Sequence, residues 1–62
     1  MNWINFIEEA PPKGKWQEYH FKTCDGEVGT SLFKTELGFY TGEIDGREIP
    51  AGTIITQWAF IQ

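Results

Sequence analysis

His20, Cys24, Asp25 and Ser31 supply the residue types of a base, two nucleophiles and an orienting carboxylate within one stretch of chain. Nucleophilic catalysis needs more than types: the nucleophile must reach its base by a hydrogen bond, and the developing oxyanion must meet donors. Cys24 falls at a predicted tight turn beside Asp25, whose charge opposes a thiolate. Ser31 carries no nucleophile-elbow glycine pattern, and no oxyanion hole is evident. No catalytic residue is therefore assigned, and His20 is expected to be a partly exposed strand residue.

Glu43, Asp45 and Glu48 form a second constellation, around a predicted hairpin turn. Paired carboxylates serve glycoside chemistry when they flank a sugar cleft, and oxygen clusters bind calcium. The spacing does not match a calcium loop, and Arg47 offsets part of the charge. The plain expectation is a solvated hairpin tip. Its functional counterpart is an acidic knob that docks on a basic patch of a partner, where complementary charge raises the association rate and selects the partner. A structural zinc would need about four Cys or His ligands, and Cys24 and His20 are the only ones in the chain. No metal and no cofactor are expected. Gly26 and Gly29 flank a strand start, not a strand-to-helix turn, so they make no phosphate loop.

Three Trp, two Tyr and five Phe exceed what one small core needs in a chain of 62 residues. Most must be buried, because aromatics bring the large apolar area that a miniprotein requires. A domain of this size cannot enclose all of them, and Trp and Tyr are enriched at binding hot spots. Trp16 and Tyr40 are the candidates for a surface patch, since each lies out of phase with, or beside, the regular apolar face of its strand. An exposed aromatic patch also makes a homodimer an expectation.

Length and charge exclude more than they assign. A chain of 62 residues forms one domain, and a disulfide cannot reinforce it because Cys24 has no partner in the chain. Walling a pocket of about 300–1,000 Å³ with so few residues is expected to require a second subunit. Nine Asp and Glu against five scattered Lys and Arg, net −4, argue against direct nucleic-acid binding and against an anionic membrane surface. Met1-Asn2-Trp3-Ile4 lacks a signal-peptide pattern, and no apolar run approaches the roughly 20 residues of a membrane span. An intracellular, cytoplasmic location is the expectation, and a lone cysteine is compatible with it.

The elements that must position these residues read as mainly β: a small antiparallel sheet or SH3-like partial barrel of four to five strands. Asp25-Gly26 and Asp45-Gly46 are strong hairpin signals, because glycine reaches positive φ without steric cost. They separate predicted strands over residues 16–23, 27–34, 38–44 and 53–61, with 47–49 a short extension of the second hairpin. Tyr19 and Phe21 share a face of the first strand, and Val28, Thr30 and Leu32 share a face of the second. The last strand is apolar on both sides, through Ile54, Trp58 and Phe60 against Ile55, Ala59 and Ile61. It is expected to be central or sandwiched, with the N-terminal segment beside it. The apolar spacing of Trp3, Ile4, Phe6 and Ile7 fits either a short helix or a strand, ended by Pro11-Pro12.

Both ends of the chain suggest a family. Trp3-Ile4-Asn5-Phe6 with Glu8-Glu9-Ala10-Pro11 resembles the Trp-Ile-Ser-Val and acidic-Leu-Pro opening of a short phage and prophage domain of unknown function, number 551 in its series. Ile54-Ile55-Thr56-Gln57-Trp58-Ala59-Phe60 is similar to the family's Val-Thr-His-Trp-Met-Pro ending. Phe39-Tyr40, Asp45-Gly46 and Glu48-Ile49 sit where the family has an aromatic pair and an acidic-glycine turn. Gln57 replaces the usual histidine, and no proline follows Trp58. The resemblance implies a phage accessory protein and carries no residue-level activity.

The expected function is a non-enzymatic phage or prophage accessory protein that binds and inhibits a host protein by covering its surface. A host factor that itself binds nucleic acid, including one used in bacterial defence, suits the acidic charge. Glu43, Asp45, Glu48, Trp16 and Tyr40 are the expected contacts. The alternative is an oligomer that sequesters a small nucleotide-like ligand.

Overall fold

Residues 1–61 are described by a computed structural model. They form one antiparallel sheet of six strands: β1 (Ile4–Asn5), β2 (Gln17–Thr23), β3 (Val28–Lys34), β4 (Gly38–Ile44), β5 (Arg47–Glu48) and β6 (Ile55–Phe60). The spatial order is β1-β6-β2-β3-β4-β5, with β1 and β5 at the two edges, so the sheet is open. The four long strands fall where the turn residues and apolar runs predict. Two short strands bring the total to six, above the four to five expected. The N-terminal segment is not a helix: Ile4 and Asn5 pair with Trp58 and Gln57, and a single turn follows, closed by the Glu8 and Glu9 amides donating to the Asn5 carbonyl. A segment this short, stopped by a nearby proline pair, cannot offset the nucleation cost of a free-standing helix, whereas the edge of β6 supplies ready backbone partners. Among the described residues no helix is long and apolar enough to cross a membrane.

Turn chemistry sets the registers. Asp45 and Gly46 both hold positive φ, 52° and 76°, as a two-residue hairpin of the right twist demands. Gly26, at φ 86°, closes a three-residue turn; there the Thr23 amide donates to the Glu27 carbonyl, and the Gly26 amide donates back to Thr23.

One face of the sheet is the core. Tyr19, Phe21, Phe33, Ile44 and Trp58 are buried there, with Phe6 and Phe39 packed edge-on to Phe33 at centroid separations of 5.9 and 4.9 Å. On β3 the inward face is Gly29, Ser31 and Phe33, which lie opposite Phe21, Tyr19 and Gln17 of β2. Val28, Thr30 and Leu32 do share a face, the outer one. The reason is steric: at Gly29 a Cβ would collide with the Glu43 backbone carbonyl and come within 2.7 Å of Cζ of Phe21. Only glycine lets the Phe21 ring cross there. The core is roofed by two passing segments. The chain after β1 lays Phe6 and buried Pro11 over it, and the Trp58 indole donates a 2.7 Å hydrogen bond to the Glu9 carbonyl. The link from β5 to β6 presses Ile49 into the space that a side chain on Gly42 would fill. Strand β6 lies between β2 and the N-terminal β1, sandwiched by the N-terminal segment as expected, and Trp58 and Ala59 on its opposite faces are both buried.

Candidate outer-face interface on strand β4

The outer face of β4 is built by register. Leu32 lies opposite Glu18 on one side and Tyr40 on the other, and Lys34 lies opposite Gly38. Gly38 adds no side chain to its row, which leaves room for Trp16, just before β2, to reach diagonally across. The Trp16 and Tyr40 rings meet at a centroid separation of 5.8 Å, tilted by 47°, and the Lys34 ammonium sits 5.9 Å from the Trp16 ring. Trp16 is 38% and Tyr40 60% exposed. An aromatic pair so held presents large apolar area at little further entropy cost.

The acidic residues take two positions. Glu43 lies directly opposite Glu48 across β4 and β5. Through the pairing of Thr30 with Glu43 and Leu32 with Tyr40, this acidic pair shares the outer face with the aromatic pair. Like charges directly opposite on a sheet repel. Asp45 is apart from them, at the tip of the hairpin, where its positive φ makes it a turn-former.

Tyr40, Glu43 and Glu48 also line an open cleft of about 530 Å³ beside β4, together with Phe39, Ile49 and Ile55. It is an open surface cleft and not a pocket enclosed by the single chain. The link from β5 to β6 swings away from β4 after its Ile49 amide donates to Gly42, and the gap it leaves is the cleft.

Thr41 is the feature that sequence reasoning missed. It holds φ 56°, a left-handed conformation in which a β-branched residue is an outlier. It sits where the β3 and β4 registers slip between Thr30 and Leu32, one residue beyond Tyr40. Its hydroxyl donates to the Tyr40 carbonyl at 2.6 Å, which also accepts from Ser31 Oγ at 3.0 Å. The available signal was Gly42 inside a strand pattern, which marks bulges.

The hydrolytic constellation does not assemble. Ser31 is buried on the core face with its hydroxyl turned to backbone carbonyls, while His20, opposite Thr30, is on the outer face and partly exposed as expected. Cys24 is exposed in the first hairpin turn. Among the described residues no group of three or more His, Cys, Asp or Glu could hold a metal ion. No protein family, curated protein or solved structure matches the chain.

Proposed function

We propose that this chain is a non-enzymatic binding domain that covers a functional surface of another protein, using the outer face of β4. The observation that carries this reading is the exposed Trp16 and Tyr40 pair beside the opposed carboxylates of Glu43 and Glu48. An aromatic anchor next to an acidic edge is complementary to a partner surface that is apolar at its centre and basic at its rim. Such rims grip nucleic acid, so occupancy by a chain of net charge −4 competes with it. A bacterial host protein is the target expected from the likeness of the two chain ends to the phage domain.

The test compares the wild-type protein with Trp16→Ala and Tyr40→Ala variants as immobilised baits in bacterial extract. A protein retained by the wild type, lost with either variant and displaced by added nucleic acid is the expected result. Retention unaffected by both substitutions would remove this face from the function.

A second reading draws on the cleft, whose volume of about 530 Å³ lies in the range of small-molecule sites. It supports sequestration of a small ligand. Glu43 and Glu48 on its wall oppose a phosphate and favour an uncharged or cationic molecule, which narrows the nucleotide-like alternative.

A further inference from the structure

Strand β4 is seven residues long, but β5 pairs only with its Glu43 and Ile44. Apart from the Ile49 amide bonded to Gly42, the stretch from Gly38 to Thr41 has no strand on its outer side. It is the longest such stretch among the described residues, since the outermost strands β1 and β5 are two residues each. Edges of this kind are usually blunted with lysine, proline or very short strands. Gly38-Phe39-Tyr40-Thr41 carries no charge and no proline. The bulge at Thr41 limits any pairing to a short run, and the cleft lies directly alongside.

We infer that this edge accepts an extended peptide segment of the partner by strand addition, with a lysine or arginine of that segment seated at Glu43 and Glu48. The inference rests on the protein-binding reading above and specifies its mode. An added strand points alternate side chains to the two faces of the sheet. Those on the outer face meet Tyr40 and Trp16 and, further along, the opposed carboxylates. Those on the inner face enter the cleft against Phe39, Ile49 and Ile55. Charge selects the occupant. Glu43 and Glu48 face each other across the strands, so a cation seated between them relieves their repulsion. A second copy of this chain would bring a further net charge of −4 instead.

The probe is the peptide Thr-Val-Thr-Lys-Val-Thr-amide, labelled with fluorescein at its N-terminus through a glycine spacer and titrated by anisotropy against the intact protein. Saturable, salt-sensitive binding is expected, weakened about tenfold or more by Lys→Glu in the peptide or by Glu43→Gln with Glu48→Gln in the protein. N-methylation of alternate peptide amides, which removes ladder hydrogen bonds and keeps every side chain, should abolish it. Circular dichroism of the double variant reports that its sheet is intact. Equal binding of the N-methylated peptide overturns strand addition, while loss of that binding in Trp16→Ala would leave the protein-binding reading standing. Absence of peptide binding together with a concentration-dependent dimer disrupted by Tyr40→Lys would assign the edge to a second copy and overturn the proposal.

Discussion

The indole N–H of Trp58 donates to the backbone carbonyl of Glu9 at 2.7 Å, tying a ring at the centre of the core to the N-terminal segment that roofs it. Trp58 is fully buried, and its ring packs edge-on to Tyr19 and Phe60 at 5.3 and 5.0 Å. This one side chain fills the core, satisfies its own polar atom and fixes the path of residues 6–12.

Trp58→Phe keeps an aromatic ring but leaves the Glu9 carbonyl without its donor and a void beside Tyr19. A loss of about 2–4 kcal/mol is expected, the sum of a lost part-buried hydrogen bond and a partly filled cavity. A domain of this size rarely has more than about 3–5 kcal/mol in total. Urea denaturation should therefore show the variant largely unfolded at 37 °C; a midpoint near that of the wild type would refute the role given to this bond.

Gly29→Ala should cost more than Gly26→Ala, although Gly26 has the unusual backbone. At Gly26 the added methyl meets open space and only the positive φ is penalised, by about 1–2 kcal/mol. At Gly29 it meets the Glu43 carbonyl and the Phe21 ring, neither of which can move without opening the β3 and β4 pairing or the core. Thermal denaturation of the two variants side by side orders them.

Thr41→Gly removes the penalty of a β-branched residue in the left-handed region at the cost of added backbone freedom. The net gain is up to about 1 kcal/mol. A rise in Tm is expected. A marked fall would mean that the Thr41 hydroxyl on the Tyr40 carbonyl outweighs the strain.

Glu48→Lys converts the like-charged pair with Glu43 into an opposite one. Both residues are exposed, so the gain is only about 0.2–1 kcal/mol and fades with added salt. The same change should weaken partner binding, so stability and binding move in opposite directions. Parallel movement of both would detach the acidic pair from the interface.

Burial pushes the Tyr19 phenol above its ordinary value of 10.0. The folded state therefore holds that proton more tightly than the unfolded chain. Stability from this group is fully present below pH 10 and falls as the pH rises from about 10 through the folded-state value. Tyr19→Phe should flatten the alkaline limb of the stability profile and leave it unchanged at neutral pH apart from a constant offset. An alkaline limb identical in both proteins would assign the loss to other groups.

Local chemistry was enough to read the fold class and most of the strands. Asp25-Gly26 and Asp45-Gly46 need positive φ, which few other residues supply, and Pro11-Pro12 stops the N-terminal segment; such signals act within a few residues and can be read in order. The inward set of β3 was not legible, because the decision between Val28, Thr30 and Leu32 and the smaller Gly29 and Ser31 lies with the Glu43 carbonyl and the Phe21 ring, remote in sequence. The same holds for the site. Composition made Trp16 and Tyr40 candidates and placed Glu43, Asp45 and Glu48 at one turn, but only the pairing of β2, β3 and β4 could set the two rings together and turn Glu43 and Glu48 onto their face, leaving Asp45 behind. The free edge of β4 and its cleft follow from where the link to β6 departs. Turn preferences are properties of a few bonded neighbours, whereas burial, charge opposition and an unpaired edge are properties of strands that meet only when the whole sheet has formed.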